Sequence, residues 1–303
     1  MPAVLGNAIC PREEMTAYET LWALERITLK GIADLFRKRP LLPSHLFRAM
    51  ATEQFDLDGL HREVSEFVAD LRGFMVGVNG TFQYPRRLLD ARYPIQLFYY
   101  RGYIGLAETR CVSVVGARKA TADGLRRADR LARGLVEAGF TIVSGLAAGI
   151  DTAAMRAAIE TKHGQTIGVI GTPINEAYPK GNADLQEYVA ARHLLVSQVP
   201  FYRYAHQPFA TKKYYFPERN ETMAALSEAT VIVEASDTSG SLTQARAALQ
   251  QGRRLFILNS CFENPDITWP AAYEARGAIR VRTMDDILTA LGEADESAEV
   301  EED

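Results

Sequence analysis

From Cys111 onward the chain repeats one unit: a short apolar run, a glycine turn, then a stretch with apolar residues every three or four positions. CVSVVGAR leads into GLRRADRLARGLVEAG, FTIVSGLAAG leads into IDTAAMRAAIETK, and QTIGVIGTP is followed by NADLQEYVAAR. HLLVSQV, ATVIVEA and RLFILNS add strand candidates, with ERNETMAALS and SLTQARAALQQG as helices among them. Strands that are apolar throughout must be covered on both faces, and helices alternating with them supply that cover. The expected fold class is therefore α/β, a Rossmann-like parallel sheet of at least six strands with helices on both faces.

What precedes this unit reads differently. Residues 1–75 carry apolar positions at helical spacing, as in AYETLWALERI, GIADLFRK and LHREVSEFVADLRGF, with Gly31, Pro40, Pro43 and Gly59 as breaks, and form a small helical N-terminal module. Residues 76–106 mix short β-like runs with prolines and arginines and are expected to be an extended connecting arm. The Rossmann-like domain then runs over 107–292, followed by an acidic tail at 293–303 whose lack of apolar residues predicts disorder.

The formal net charge of −4 argues at first against a nucleic-acid ligand. Seven acidic residues, Glu293, Asp295, Glu296, Glu299, Glu301, Glu302 and Asp303, are crowded into that tail, which leaves the body at +3. Cys10, Cys111 and Cys261 lie far apart without CxxC spacing, so neither a disulfide framework nor a cysteine zinc site is expected. His45, His61, His163, His193 and His206 show no metal-ligand spacing, and no metal is expected. No apolar run approaches the roughly 20 residues needed to cross a bilayer, and the start of the chain lacks a secretory pattern. A cytoplasmic location without a membrane partner follows as the expectation.

In an open parallel sheet the ligand sits beyond the carboxyl ends of the strands, so the turns there carry the chemistry. The first, Gly116-Ala117-Arg118-Lys119, offers close backbone approach and a guanidinium fork for a phosphate. The second, Ser144-Gly145 through Gly149-Ile150-Asp151, ends on a helix-capping aspartate. The third, Gly171-Thr172-Pro173 leading to Tyr178, Pro179 and Asn182, is expected to shape a loop. The fourth, Ser239-Gly240-Ser241, opens a helix with small residues that can present hydroxyls and N–H groups to an anion. Between the third and fourth, Lys212-Lys213-Tyr214-Tyr215-Phe216 interleaves cations with rings, as single-stranded nucleic acid requires.

These segments, in order from YPRRLLDARYPIQLFYYRG through VVGARK, SGLAAGID, GTPINEAYPKGNADL and FPERN to VIVEASDTSGSLTQARAALQQGR, resemble the DNA-processing protein A family (DprA, also called Smf), over roughly residues 84 to 260. That family lies within a wider Rossmann-like set that includes the LOG phosphoribohydrolases. The resemblance implies a homodimeric, cofactor-free protein that binds single-stranded DNA and helps to load a RecA-type recombinase during natural transformation, or acts in DNA uptake or mobile-element defence. It also implies that Arg118 and Lys212 or Lys213 contact phosphates, that the turns at Gly116, Ser144 and Gly145 supply backbone donors, and that Arg219 and Asn220 shape the groove. The chain departs from the family pattern at Ala148 and Glu221, where arginines are usual, and at Ala117, where serine is common. Glu218 adds a further carboxylate, and the acidic tail stands where many members carry a winged-helix module.

Two other functions fit the same turns. A nucleotide sensor or a hydrolase of N-glycosidic bonds would use carboxylates, for which Glu218, Glu221 and Asp151 are the candidates. The LOG motif PGGxGTxxE has no counterpart for its glutamate in Asp237–Gln244. A protein-binding adaptor that keeps the fold without the ligand is the third reading.

Overall fold

The computed structural model describes residues 9–299 apart from 26, 40 and 52–56. The N-terminal module consists of α1 (Pro11–Ala23), α2 (Leu29–Lys38), α3 (Pro43–Ala51) and α4 (Leu57–Val68). Pro43 starts α3, where a missing N–H costs nothing. Gly31 and Gly59 are not breaks but lie in the first turns of α2 and α4, and Gly31 N–H donates to the capping Thr28 hydroxyl at 3.1 Å. Pro40 lies outside the described residues.

The chain continues through β1 (Met75–Val78), β2 (Leu97–Gly102), β3 (Cys111–Val115), α5 (Ala122–Glu137), β4 (Thr141–Ser144), α6 (Ile150–Glu160), β5 (Thr166–Ile170), α7 (Ala183–Arg192) and β6 (Leu194–Ser197). The short helices α8 (Phe201–His206) and α9 (Phe209–Lys212) precede α10 (Tyr215–Leu226), β7 (Ala229–Ile232), α11 (Ser241–Gln250), β8 (Arg254–Leu258), α12 (Asn259–Phe262), α13 (Trp269–Glu274), β9 (Ile279–Val281) and α14 (Met284–Glu299). Segment 293–299, expected to be disordered, continues α14 as helix to Glu299, and 300–303 lie outside the described residues.

Among the described residues nine strands form one sheet in the order β1-β2-β6-β5-β4-β3-β7-β8-β9. From β6 to β9 every pairing is parallel, while β1 and β2 add antiparallel at one edge. The arm expected to be a connector therefore supplies two strands to the main sheet. Successive residues of β3 feed opposite faces: Cys111 and Val115 enter one core with α10, α11 and α13, and Val112 and Val114 enter another with α5, α6 and α14. Helix α5 shows how sequence fixes that packing. Thr121 caps it by accepting the Gly124 N–H at 2.9 Å, and Ala128, Leu131, Ala132, Leu135 and Val136 form its buried stripe.

The helical module is fastened to the β1/β2/β6 end of the sheet through a core that joins Tyr18, Leu21 and Trp22 of α1 to Tyr99, Leu195 and Phe201. Glu19 sits inside this contact, fully buried, where it accepts the N–H groups of Phe201 and Tyr202, both at 2.9 Å, and the Tyr99 hydroxyl. Burial pushes its carboxyl up to about 7, against the pull of those donors.

Candidate nucleic-acid interface

The connections decide where a ligand can lie. After β3 the chain builds outward through β4, β5 and β6, and then returns to place β7 on the other side of β3. Loops leaving β3 and β7 at their carboxyl ends must part in opposite directions, and a crevice opens between them. A cleft of about 840 Å³ occupies that position, lined by the turn from Val115 to Lys119 and by Glu234, Ala235 and Ser236 after β7.

The first turn is held by its neighbours. Ala117 N–H donates to the Glu234 carbonyl at 2.7 Å, and the Ala117 carbonyl accepts from Ile150 N–H at 3.2 Å. A Cβ on Gly116 would stand 2.6 Å from Ile150 Cγ1 and 2.8 Å from the Glu234 carbonyl oxygen, so only glycine fits. This anchoring leaves Arg118 and Lys119 exposed at the cleft, with the Arg118 guanidinium 5.9 Å from the centre of the Phe216 ring. Phe216 reaches the cleft because Gly171 makes room, a Cβ there being 2.7 Å from the ring, and Tyr178 packs beside it at 5.4 Å. The third turn thus seats an aromatic ring.

The second turn works behind the cleft surface. Ser144 is fully buried and donates its hydroxyl to the Val114 carbonyl at 2.7 Å. Gly145 N–H donates to Asp151 at 3.0 Å, and the N–H groups of Gly116 and Ala147 also face that carboxylate. The backbone donors expected to meet a phosphate at Gly116 and Gly145 are therefore turned onto an internal anion. Burial raises the Asp151 carboxyl above its usual range, and the Arg219 charge works the other way.

Arg219 is buried as well. Its Nη1 donates to the carbonyls of Gly145 at 2.6 Å and Val169 at 2.7 Å, and its Nε donates to Asn220 Oδ1 at 3.0 Å. Burial lowers the guanidinium to about 10, with Asp151 opposing that shift. Arg219 borders the cleft, yet its Nη1 and Nε tie α10 to the strand ends, whereas Asn220 donates weakly to the Gly240 carbonyl at 3.4 Å.

The fourth turn, Ser239-Gly240-Ser241, lines the cleft together with Thr243. Ser241 N–H is taken by the Ser239 hydroxyl at 3.2 Å, and Leu242 and Thr243 donate to Ser239 and Gly240 carbonyls at 3.1 and 3.0 Å. This turn offers hydroxyls more than free backbone N–H groups.

Lys212 and Lys213 end α9 and start the turn into α10, outside the residues that line the cleft. Lys212 Nζ sits 4.1 Å from the Tyr204 ring centre and Lys213 Nζ 5.5 Å from that of Tyr214. The two extra carboxylates also stay out of the cleft. Glu218 faces a separate cavity of about 590 Å³ against the helical module, where burial pushes it up to about 7. Glu221 accepts from Gln251 Nε2 at 3.0 Å, and its carboxyl is likewise raised by burial. Of the three hydrolase candidates only Asp151 borders the cleft, and its carboxylate is buried and faces the N–H groups of Gly145, Gly116 and Ala147.

Arg127, on α5, lines the cleft and was not singled out from sequence. Its signal lay in GLRRADRLARG, whose arginines are assigned to faces only once the buried stripe is known. Glu234 was missed too: its carboxylate accepts the Thr121 N–H at 2.9 Å and hydroxyl at 2.6 Å, which fixes the start of α5. Among the described residues no cluster of His, Cys, Asp and Glu could hold a metal ion, and no helix is long and apolar enough to cross a membrane.

Residues 77–292 match the family model for DNA recombination-mediator protein A. A DNA processing protein DprA from Bacillus subtilis is 30% identical over 262 residues, spanning 83% of this chain and 86% of that protein. The X-ray structure of DNA processing protein A from Streptococcus pneumoniae superposes with a TM-score of 0.67 at 29% identity, covering 93% of each chain. A structure of DNA processing protein A from Helicobacter pylori, described as giving insight into its single-stranded DNA binding mode, superposes with a TM-score of 0.61 at 26% identity over 73% of this chain and 96% of that one.

Proposed function

Because the chain belongs to the DNA recombination-mediator protein A family, we propose that it is a single-stranded DNA-binding protein of the DNA-processing type, with its ligand in the cleft between the β3 and β7 loops. The observation that carries this reading is the convergence there of exposed Arg118 and Lys119 with Arg127 and the Phe216 ring. Cations meet phosphates and a ring meets a base, which is how sequence-tolerant binding of single strands works. Loading of a RecA-type recombinase onto the bound strand, a homodimeric state and a cytoplasmic setting belong to the same reading, on the strength of the family.

The carboxylates that raised the hydrolase alternative do not favour it, since Glu218 and Glu221 face away from the cleft and Asp151 is enclosed. The experiment is fluorescence anisotropy of labelled oligo-dT at two salt concentrations with the intact chain, Arg118→Ala, and Lys212→Ala combined with Lys213→Ala. Arg118→Ala is expected to weaken binding and to lower the magnitude of the salt slope by about 0.7, the share of one phosphate contact. The lysine pair, standing outside the cleft, should have the smaller effect. No binding by the intact chain at low salt sinks the reading.

A further inference from the structure

The same edge of the sheet carries a second concavity, of about 850 Å³, between α5 and the turn from β9 into α14. It opens directly off the cleft, because Arg127 and Ser260 line both. Its rim carries Arg130 and Arg282, both exposed. Neighbouring arginines of α5 are paired, Arg126 with Asp123 and Arg133 with Asp129 and Glu160, but among the described residues Arg127, Arg130 and Arg282 enter no ion pair. Asp286 accepts the backbone N–H groups of Arg282 and Thr283 at 2.7 and 2.8 Å, so the turn is held from its backbone, and the Arg282 charge acts on that carboxyl without forming an ion pair with it.

The floor is apolar, made by Leu131, Leu258, Met284 and Leu288. Of the two acids there, Glu263 already accepts from Asn259 Nδ2 at 2.6 Å, and Glu137 lies at the far end of α5. Arg127, Arg130 and Gly134 share one face of that helix, so Arg130 stands roughly 4.5 Å further along the axis than Arg127. The groove narrows at Gly134, where a Cβ would stand 2.5 Å from Met284 Cε.

Resting on the single-stranded DNA reading of the cleft, we propose that the bound strand leaves the cleft past Arg127 and continues along this groove, with phosphates on Arg130 and Arg282 and bases over the apolar floor. An extended polyanion is the occupant that the geometry favours, because the groove's cations are unpaired and continue those of the cleft without a break. The track makes affinity depend on oligonucleotide length, since only a strand long enough to leave the cleft reaches the second pair of arginines.

The test is anisotropy with oligo-dT of about 5 and about 15 nucleotides, within the range of single-site footprints, on the intact chain and on Arg130→Ala combined with Arg282→Ala. Both positions are exposed, and circular dichroism checks the fold of the variant. The variant is expected to lose about tenfold on the long strand and less than about twofold on the short one. Its slope of log K against log salt on the long strand should fall in magnitude by about 1.4, that is about 0.7 for each phosphate no longer neutralised. If both strands bind the intact chain and the variant binds the long one equally well, or loses equally on both, the extended track is wrong while the cleft stands. If the intact chain binds neither strand, the cleft reading falls, and the track with it.

Discussion

Replacing Arg219 by methionine distinguishes a scaffold residue from a ligand contact. The guanidinium gives charged hydrogen bonds to the Gly145 and Val169 carbonyls and lies beside buried Asp151. Methionine fills much of the same space but donates nothing. Two buried carbonyls then lose their donors, at about 1–3 kcal/mol each, and Asp151 loses the charge that holds its carboxyl down. Losses of this kind do not add fully, and breaking a buried charged pair typically costs about 3–5 kcal/mol. About 4 kcal/mol is the expected loss, a large share of an ordinary domain's stability.

With a urea dependence of about 3 kcal/mol per M for a chain this long, the unfolding midpoint should drop by more than about 1 M. A double-mutant cycle with Asp151→Asn should return a coupling of about 1–3 kcal/mol, because each partner answers the other's burial. Arg219→Lys should be intermediate, keeping the charge but not the planar fork that reaches two carbonyls. A midpoint unchanged within about 0.2 M, accompanied by weaker DNA binding, would refute this reasoning and place Arg219 among the ligand contacts.

Gly116→Ala should cost about 1–3 kcal/mol in urea unfolding and weaken DNA binding, because the Glu234 carbonyl oxygen at 2.8 Å is backbone and has little room to yield; Gly240→Ala, with open space around it, should stay within about 0.5 kcal/mol. Ala148→Arg puts a cation back on an exposed position next to cleft-lining Ala147 and should strengthen oligo-dT binding and steepen its salt slope by about 0.7, whereas Glu221→Arg, pointed at Gln251, should leave that slope unchanged. Stability should decline as pH rises from about 4.5 to about 7, because buried Glu19 and Glu218 both bind their protons more tightly folded than unfolded; the share of Glu19 amounts to about 3 kcal/mol, and Glu19→Gln should make the decline shallower in urea titrations across that window without removing the part due to Glu218.

The strands flanked by helices were legible because their burial on both faces leaves a continuous apolar run that no partner has to explain. For β1 and β2 the β-like runs were legible but their place in the main sheet was not, since MVGV and LFYYRG owe their places to antiparallel pairing along an edge, with β2 alone meeting β6, and a run broken by Pro85 and Pro94 carries no trace of that register. Helix α10 hid its phase for another reason. Both of its sides are packed, so YFPERNETMAAL shows no single apolar stripe from which to read direction. The structure sets Phe216, Asn220 and Met223 toward the cleft at helical spacing, which sends Glu218 to the helical module and Glu221 to Gln251. Gly116 and Gly145 were legible as glycine turns, but what they make room for was not, because Ile150 and Arg219 arrive from elsewhere in the chain.

These placements change how the charge of the chain bears on its ligand. Beside the family pattern, in which Ala148 and Glu221 stand where arginines are usual, Glu218 and Glu221 count as added negative charge at the site. In the structure neither lines the cleft, and the acids that do are mostly engaged: Glu234 by Thr121, Asp123 by Arg126, Asp151 by Arg219 and the N–H groups behind the surface, with exposed Asp266 the exception. The cations Arg118, Lys119 and Arg127 have no such partners among the described residues. A weakly charged body can therefore hold a phosphate chain, provided that its acids are used to build the loops and its cations are not. With these cations in contact, the salt slope for a short strand should be near about −2, at about 0.7 for each phosphate. A slope near zero would mean that the strand is held by stacking alone and that the unpaired arginines serve some other purpose.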